Sequence, residues 1–430
     1  MKSVVSLKRE NFISQYPPLN FLNREDVEKI WNKGEVNLYV HIPYCAKKCD
    51  FCYYKSFSIG DGQVPEEYLD ALKKEIELYS KTPQMQGKVL RSIYIGGGTP
   101  TMLTEEQLSS LVCFIYSRFE TAKEDFEFCC EARPGPNTTL EKLELLESLG
   151  LRRLSLGCQS LDDEILQVNG RHHNAAEFYN AFELSRKAGI DCVNVDLMSG
   201  LVNHSMESWV DTIKRIIGLK PENVSIYKME LYLNNALYSS YREGGIRLVS
   251  DSDEVLYIRE GYKRLLEGGY TLADNYSFMS DPRYRHVQRR EVWKGKDMLG
   301  IGLSAHSCFN GCIYQNESLL SNYMERLKRD EIPVYRAHKI SSREHLIRRV
   351  IFGIKNLHLD RKGFEEEFGI DVMSVFGEQL VKMQEDGFIR IYHDYIETTV
   401  EGAIFSDDFV RELYLPEHRK MALAHVKRPE

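Results

Sequence analysis

Six short runs rich in β-branched and aromatic residues alternate with segments of helical period, and this alternation constrains the fold more than any other feature. The runs are residues 37–42, 92–96, 127–131, 153–157, 192–198 and 223–229, and the helical segments are 66–81, 104–119, 140–149, 175–188 and 205–217. Strands separated by helices pair in parallel, because a parallel partner needs a crossover long enough to hold a helix. Repeated units of this kind make either an open doubly wound sheet or a complete or partial barrel, which periodicity alone does not separate. In both, the loops beyond the carboxyl ends of the strands form the active face.

The first of those loops carries the chemistry. The run 38–42 leads straight into Cys45, Cys49 and Cys52, a C-x3-C-x2-C spacing. Three thiolates hold a [4Fe–4S] cube while leaving one iron open to a substrate. The alternatives are a zinc site, for which only His41 lies near enough to act as fourth ligand, or reduced structural thiols. The chain has ten cysteines among 430 residues. That is too sparse for a disulfide scaffold, and residues 1–31 lack the apolar core of an export signal, so the expected setting is the reducing cytoplasm. No stretch is apolar enough to span a membrane, and a net charge of -8 provides no overall field that would attract nucleic acid.

The three-cysteine loop, with His41-Ile42-Pro43-Tyr44 before it, resembles the radical S-adenosylmethionine (SAM) superfamily, and within it the oxygen-independent coproporphyrinogen III dehydrogenase (HemN-like) branch. The resemblance implies an α/β fold: a partial (β/α)6 barrel of the radical SAM type with a C-terminal winged-helix-like α+β module. It also implies a [4Fe–4S] cluster on Cys45, Cys49 and Cys52 whose open iron chelates SAM, yielding a 5′-deoxyadenosyl radical on one-electron reduction. The turn Gly97-Gly98-Thr99 matches the family's glycine motif for the SAM amino group. Tyr39, Glu131, Gln159, Arg171 and Asp196 stand where this branch places its other SAM contacts. Read without the resemblance, the glycines are a tight turn, Glu131 a solvated loop residue, Arg171 a surface ion pair, Asp196 a helix cap and Tyr39 core.

Four regions are expected: an N-terminal extension (1–36), the radical SAM core (37–240), a completion of the core that caps the substrate or a second SAM (241–335), and the winged-helix-like domain (336–430). Residues 281–316 read as an irregular cap. Three helices at 344–356, 362–368 and 372–385 and a hairpin at 388–399 suggest the winged module. Tyr54 occupies the place of a fourth cysteine typical of the true dehydrogenases, and a His-Asn pair typical of haem chaperones is missing. Cys52-Tyr53-Tyr54 and residues 302–316 resemble class C methyltransferases and cyclopropane-forming enzymes, which favours methyl or methylene transfer with a second SAM. Tyr227, Glu230 and residues 300–315 would bind it. Decarboxylation of coproporphyrinogen and haem trafficking are the alternatives. Arg283, Arg285, His286, Arg289 and Arg290 form a basic patch suited to a carboxylated substrate, and Cys308 and Cys312 have the spacing of an auxiliary cluster or of incidental thiols. The expected partners are a small-molecule substrate and an electron donor such as flavodoxin or ferredoxin, without membrane or nucleic acid.

Overall fold

The computed structural model describes residues 13–18, 34–232, 236–246 and 248–419. Strands β1 (Gly34–Ile42), β2 (Lys88–Gly97), β3 (Glu127–Ala132), β4 (Leu151–Gln159), β5 (Cys192–Ser199) and β6 (Asn223–Lys228) lie side by side in chain order, each neighbour parallel. All six carboxyl ends therefore open at one edge. Between them run α1 (Glu66–Ser80), α2 (Glu105–Arg118), α3 (Leu140–Ser148), α4 (Asp163–Val168), α5 (Ala175–Lys187) and α6 (Met206–Leu219). The polar residues before the helices act as caps. Thr104, Asn174 and Ser205 each close a reciprocal capping box, satisfying backbone donors that a helix start leaves unpaired. Leu69, Leu72 and Ile76 of α1 are buried in the same core as Leu38, Val40 and Ile42 of β1.

The sheet does not stop at residue 240. After α7 (Ala236–Arg242) and α8 (Asp251–Glu267) come β7 (Thr271–Leu272), β8 (Ser277–Met279), α9 (Val287–Trp293), β9 (Asp297–Ile301), β10 (His306–Phe309), β11 (Cys312–Asn316), α10 (Leu320–Lys328) and β12 (Val334–Lys339). One twelve-stranded sheet results, in the order β12-β11-β10-β9-β1-β2-β3-β4-β5-β6-β8-β7. Residues 281–316 are thus not an irregular cap. They supply β9, parallel to β1 on the side away from β2, together with the antiparallel strands beyond it. Cys308 and Cys312 belong to different cross-strand pairs of the β10–β11 hairpin, Cys308 opposite Ile313 and Cys312 opposite Phe309, so they face opposite sides of the sheet and cannot share a cluster.

The amino ends of the strands are tied by a buried ion pair. Arg153 of β4 donates to Glu127 of β3 at 2.8 Å, to Asn223 of β6 at 2.6 Å and to the Tyr284 carbonyl at 2.6 Å, while the Val287 amide donates to Glu127 at 2.9 Å. Beyond β12, α11 (Ser342–Lys355), β13 (His358–Asp360), α12 (Arg361–Phe368), α13 (Val372–Glu385), β14 (Ile389–Ile391) and β15 (Tyr395–Thr398) follow in the element order of a winged helix, with sheet order β13-β15-β14, and α14 (Val400–Phe409) closes the region. Of the first expected region, residues 1–12 and 19–33 lie outside the described residues. Among those described, no helix is long and apolar enough to cross a membrane.

Candidate functional site

Strand β1 delivers the cysteine loop to the open edge. Tyr44–Cys45 forms a short parallel pair with Phe57–Ser58, and the Ile59 and Gly60 amides donate to the Cys45 and Ala46 carbonyls at 2.9 Å each. Cys45 is buried and Cys49 and Cys52 are half-buried, all as free thiols. The Cys52 amide donates to the Cys49 carbonyl at 3.1 Å, closing the turn between them. Among the described residues, no group of three or more His, Cys, Asp or Glu converges as a single-ion site. Thiolates on a cubane each take a different iron, so they do not need that convergence.

The glycine turn at the end of β2 packs on this loop. The Gly98 amide donates to the Ile42 carbonyl and the Thr99 amide to the Tyr44 carbonyl, both at 2.8 Å, and Thr99 Oγ1 donates to Cys45 Sγ at 3.5 Å. A Cβ on Gly98 would stand 2.5 Å from the Tyr44 carbonyl oxygen. Gly97 has φ +112°, and a Cβ there would stand 2.5 Å from the His41 ring. The Gly97 amide is spent on Glu131 at 2.9 Å. With the amides of Gly97, Gly98 and Thr99 all spent on the protein, the turn has only carbonyl oxygens to offer, which suits a cationic donor such as an ammonium.

Glu131, near the end of β3, also accepts from the Tyr94 hydroxyl at 2.7 Å, and burial pushes its carboxyl up to about 7. Asp196 on β5 accepts from Ser155 and Asn194 at 2.8 Å each, and burial raises it as well. Arg171 crosses from the loop after α4: Nη1 donates to Cys49 Sγ at 3.3 Å and Nη2 to the Gly157 carbonyl. Gln159, the last residue of β4, sits at φ +69°. The Gln159 and Arg171 amide and guanidinium groups both flank Gly157, 3.4 Å from where its Cβ would be. Tyr39 on β1 is fixed by His41. His41 Nε2 lies 3.1 Å from the Lys55 carbonyl and must carry the proton, so Nδ1 accepts from the Tyr39 hydroxyl at 2.9 Å. Burial pushes His41 down to about 4, keeping it neutral.

The structure therefore brings the cysteine loop, the glycine turn and Arg171 together at the strand-end edge, and two of the thiols bond members of this polar set. The set also has unsatisfied groups. Among the described residues, Gln159 Oε1, Arg171 Nε, Arg133 Nη1 and the Tyr44 hydroxyl are buried without a hydrogen-bond partner. Unmet donors and acceptors around an uncovered thiol loop, together with a glycine turn that leaves no room for a side chain, fit a cluster and a polar zwitterionic ligand. Below them lies a polar cavity of about 20 Å³, bordered by Tyr94, Ser155, Asn194, Ser225, Tyr227 and Arg289.

Other expectations are corrected. The arginines of 283–290 do not form one patch. Arg289 pairs with Asp274, Arg290 with Asp125 and Glu291, and Arg285 bonds Asn356, while Arg283 donates to Tyr284. Within 300–316, several polar groups bond other parts of the fold, while among the described residues His306 Nδ1 and the Asn310 side chain are buried without a hydrogen-bond partner. The Gly302 amide and Asn316 bond Glu75 at 2.9 and 2.7 Å, Gln315 accepts from Arg336 at 2.9 Å, and Tyr314 accepts from Tyr79 at 3.2 Å. Glu230 accepts from Tyr232, whose ring is 4.2 Å from that of Tyr53, which stacks at 4.3 Å on Tyr54. Sequence reasoning missed Tyr94 and Arg133. Arg133 follows Glu131 by two residues, the strand period that was the available signal.

Comparison with known proteins finds similarity to radical SAM proteins. The Radical SAM superfamily profile matches residues 39–216. The chain is 27% identical to the heme chaperone HemW of Bacillus subtilis (strain 168) over 372 residues, covering 86% of this chain and 97% of the relative. It is 30% identical to the Haemophilus influenzae heme chaperone HemW over 275 residues, 63% of this chain and 70% of the relative. It is 26% identical to the oxygen-independent coproporphyrinogen III oxidase of Escherichia coli (strain K12), covering 86% and 83% respectively. The solved structure of the Escherichia coli coproporphyrinogen III oxidase (HemN) superposes with a TM-score of 0.80 at 24% identity, over 94% of this chain and 96% of that one.

Proposed function

The chain belongs to the radical SAM superfamily, in the HemN-like branch, and from that premise we propose that it is an enzyme that breaks a C–H bond of an organic small molecule. Cys45, Cys49 and Cys52 would hold the [4Fe–4S] cluster. When bound, the cluster and SAM supply a carbon-centred radical strong enough to take hydrogen from an unactivated carbon. The chain's own residues bind and orient. The carbonyls of the Gly97–Thr99 turn take an ammonium, the planar fork of Arg171 takes a carboxylate, and Glu131 and Asp196 accept from ribose hydroxyls or the amine. Gln159 adds an amide whose Oε1 has no partner within the protein. The Tyr39 hydroxyl donates its hydrogen bond to His41, which leaves its oxygen free to accept one from a ligand.

The observation that carries this reading is the direct contact between the thiol loop and the polar set, Thr99 on Cys45 and Arg171 on Cys49. The relatives named for coproporphyrinogen III and heme make a tetrapyrrole the first substrate class to test. Methyl transfer from a second SAM draws no support from these curated relatives, which are named for coproporphyrinogen III and heme. The chemistry requires a low-potential one-electron donor such as flavodoxin or ferredoxin.

The test is anaerobic reconstitution followed by an assay for 5′-deoxyadenosine under reductant, with and without coproporphyrinogen III. SAM cleavage that disappears in Cys45→Ala is the expected result. Wild-type protein that takes up no iron–sulfur cluster, or activity surviving the loss of all three cysteines, overturns the reading. S-adenosylhomocysteine formed alongside 5′-deoxyadenosine would redirect it to methyl transfer, and tight heme binding without cleavage to heme trafficking.

A further inference from the structure

Arg133 has no role in the site as proposed, yet it is placed against the thiol loop. It leaves the end of β3 two residues after Glu131, and its carbonyl is pinned by the Thr138 hydroxyl at 2.8 Å. Its guanidinium lies within electrostatic reach of Cys49, Cys45, Arg171, Glu177, His172 and His173. Arg171 also faces the loop, bonded to Cys49 Sγ at 3.3 Å. Among the described residues, Arg133 Nη1 and Arg171 Nε are both buried without a hydrogen-bond partner. Two like charges that face one another at a partly dry site repel, and each is costly to remove from water unless negative charge lies between them. The thiol loop is where that charge develops.

We infer that Arg133 is a charge-tuning residue for the cluster, raising its reduction potential from the side of Cys45 and Cys49. The inference rests on the proposed cluster ligation. Three thiolates on a cube with a 2+ core leave a net charge of −1. One electron from an external donor makes this −2, with no proton taken up. A fixed positive charge beside two of the thiolates therefore stabilises the reduced state more than the oxidised one. Arg133 acts through the field at the sulfurs and touches no reacting atom, so it is a positioning residue.

The test is a dithionite titration of the anaerobically reconstituted full chain, followed by the electron paramagnetic resonance of the reduced cluster, with iron, sulfide and SAM affinity measured on the same preparations. In Arg133→Gln, the reduced-to-oxidised ratio at the wild-type midpoint should fall about tenfold, equivalent to about 59 mV for a one-electron couple. Arg133→Lys should return to the wild-type midpoint. An unchanged midpoint in Arg133→Gln, with or without weakened SAM binding, overturns the inference. So does Arg133→Lys shifting as far as Arg133→Gln. Should Arg133→Gln not hold iron, Glu177→Gln carries the test. It preserves the capping box at the start of α5 while removing the charge that opposes Arg133, so its midpoint must rise, and an unchanged value overturns the inference. Wild-type protein that takes up no cluster would instead sink the proposed ligation.

Discussion

Glu131 carries its charge only above about pH 7, because burial disfavours the carboxylate more than Tyr94 and Gly97 favour it. A ligand ammonium or hydroxyl needs that carboxylate ionised. SAM affinity should therefore fall as pH drops through 7, roughly tenfold for each unit below it. Equilibrium dialysis of SAM on reconstituted protein from pH 6 to 8 measures this, and Glu131→Gln should bind weakly with a flatter profile. Gly98→Ala tests the seam between the turn and the thiol loop. Its Cβ would meet backbone of Tyr44 at 2.5 and 2.8 Å, contacts that only a backbone shift relieves. A loss of about 1–3 kcal/mol in thermal denaturation is expected, along with reduced cluster retention. The residues legible in the sequence were those whose chemistry fixes local spacing, the three cysteines above all. Tyr94 and Arg133 were not, since their meaning comes from neighbours on other strands, and the two-residue spacing of Arg133 from Glu131 does not by itself encode that meeting.

At the scale of elements, the same limit explains which segments were read and which were not. Strands β1 to β6 alternate with long, well-capped helices, and each signal spans enough residues to be seen. Helix α8 was hidden by Gly261 at its middle, where a Cβ would stand 3.0 Å from Trp209 and Ile226, so close packing put a weak helix former there. Strands β8 to β10 have three to five residues each, too short for a period of two to register. Glu75 of α1, a buried carboxyl, ties the turn after β9 to β11 and α10 by accepting from the Gly302 amide at 2.9 Å, Asn316 at 2.7 Å and Tyr323 at 2.6 Å. Burial raises Glu75 to about 7 from 4.5. The folded state then holds a proton that the unfolded chain releases, so this group's contribution to stability is greatest below about pH 4.5 and declines as pH rises through 7. Glu75→Gln has no such titration. Its melting temperature relative to wild type should therefore rise between pH 5 and 8, by an amount equivalent to about 3 kcal/mol. A constant difference across that range would show that Glu75 does not titrate there.

The whole molecule is held by contacts between its extremes and its centre. Lys355, fully buried at the end of α11, donates to Asp407 of α14, which also accepts from the Ile13 amide at 3.0 Å. The Lys355 carbonyl accepts from Asn275, whose side chain donates to Ser406 at 2.8 Å, and Trp293 stacks on Phe352 with ring centroids 6.0 Å apart. Of the three arginines of α11, Arg348 is turned inward onto the Tyr16 carbonyl, Arg349 pairs with Glu367 and Arg343 lies over the Phe376 ring. The winged-helix-like region is thus tied to the rest of the molecule through Asn275 and Trp293. Removing the Lys355 charge strands Asp407 in a dry environment. Lys355→Met should therefore cost about 3–5 kcal/mol. The double variant Lys355→Met with Asp407→Leu should recover most of that cost, because two apolar side chains leave no buried charge uncompensated, and the unmet Ile13 amide sets what remains. Thermal denaturation of the three proteins decides it. A single variant as stable as wild type would mean that the pair does not hold the two regions together.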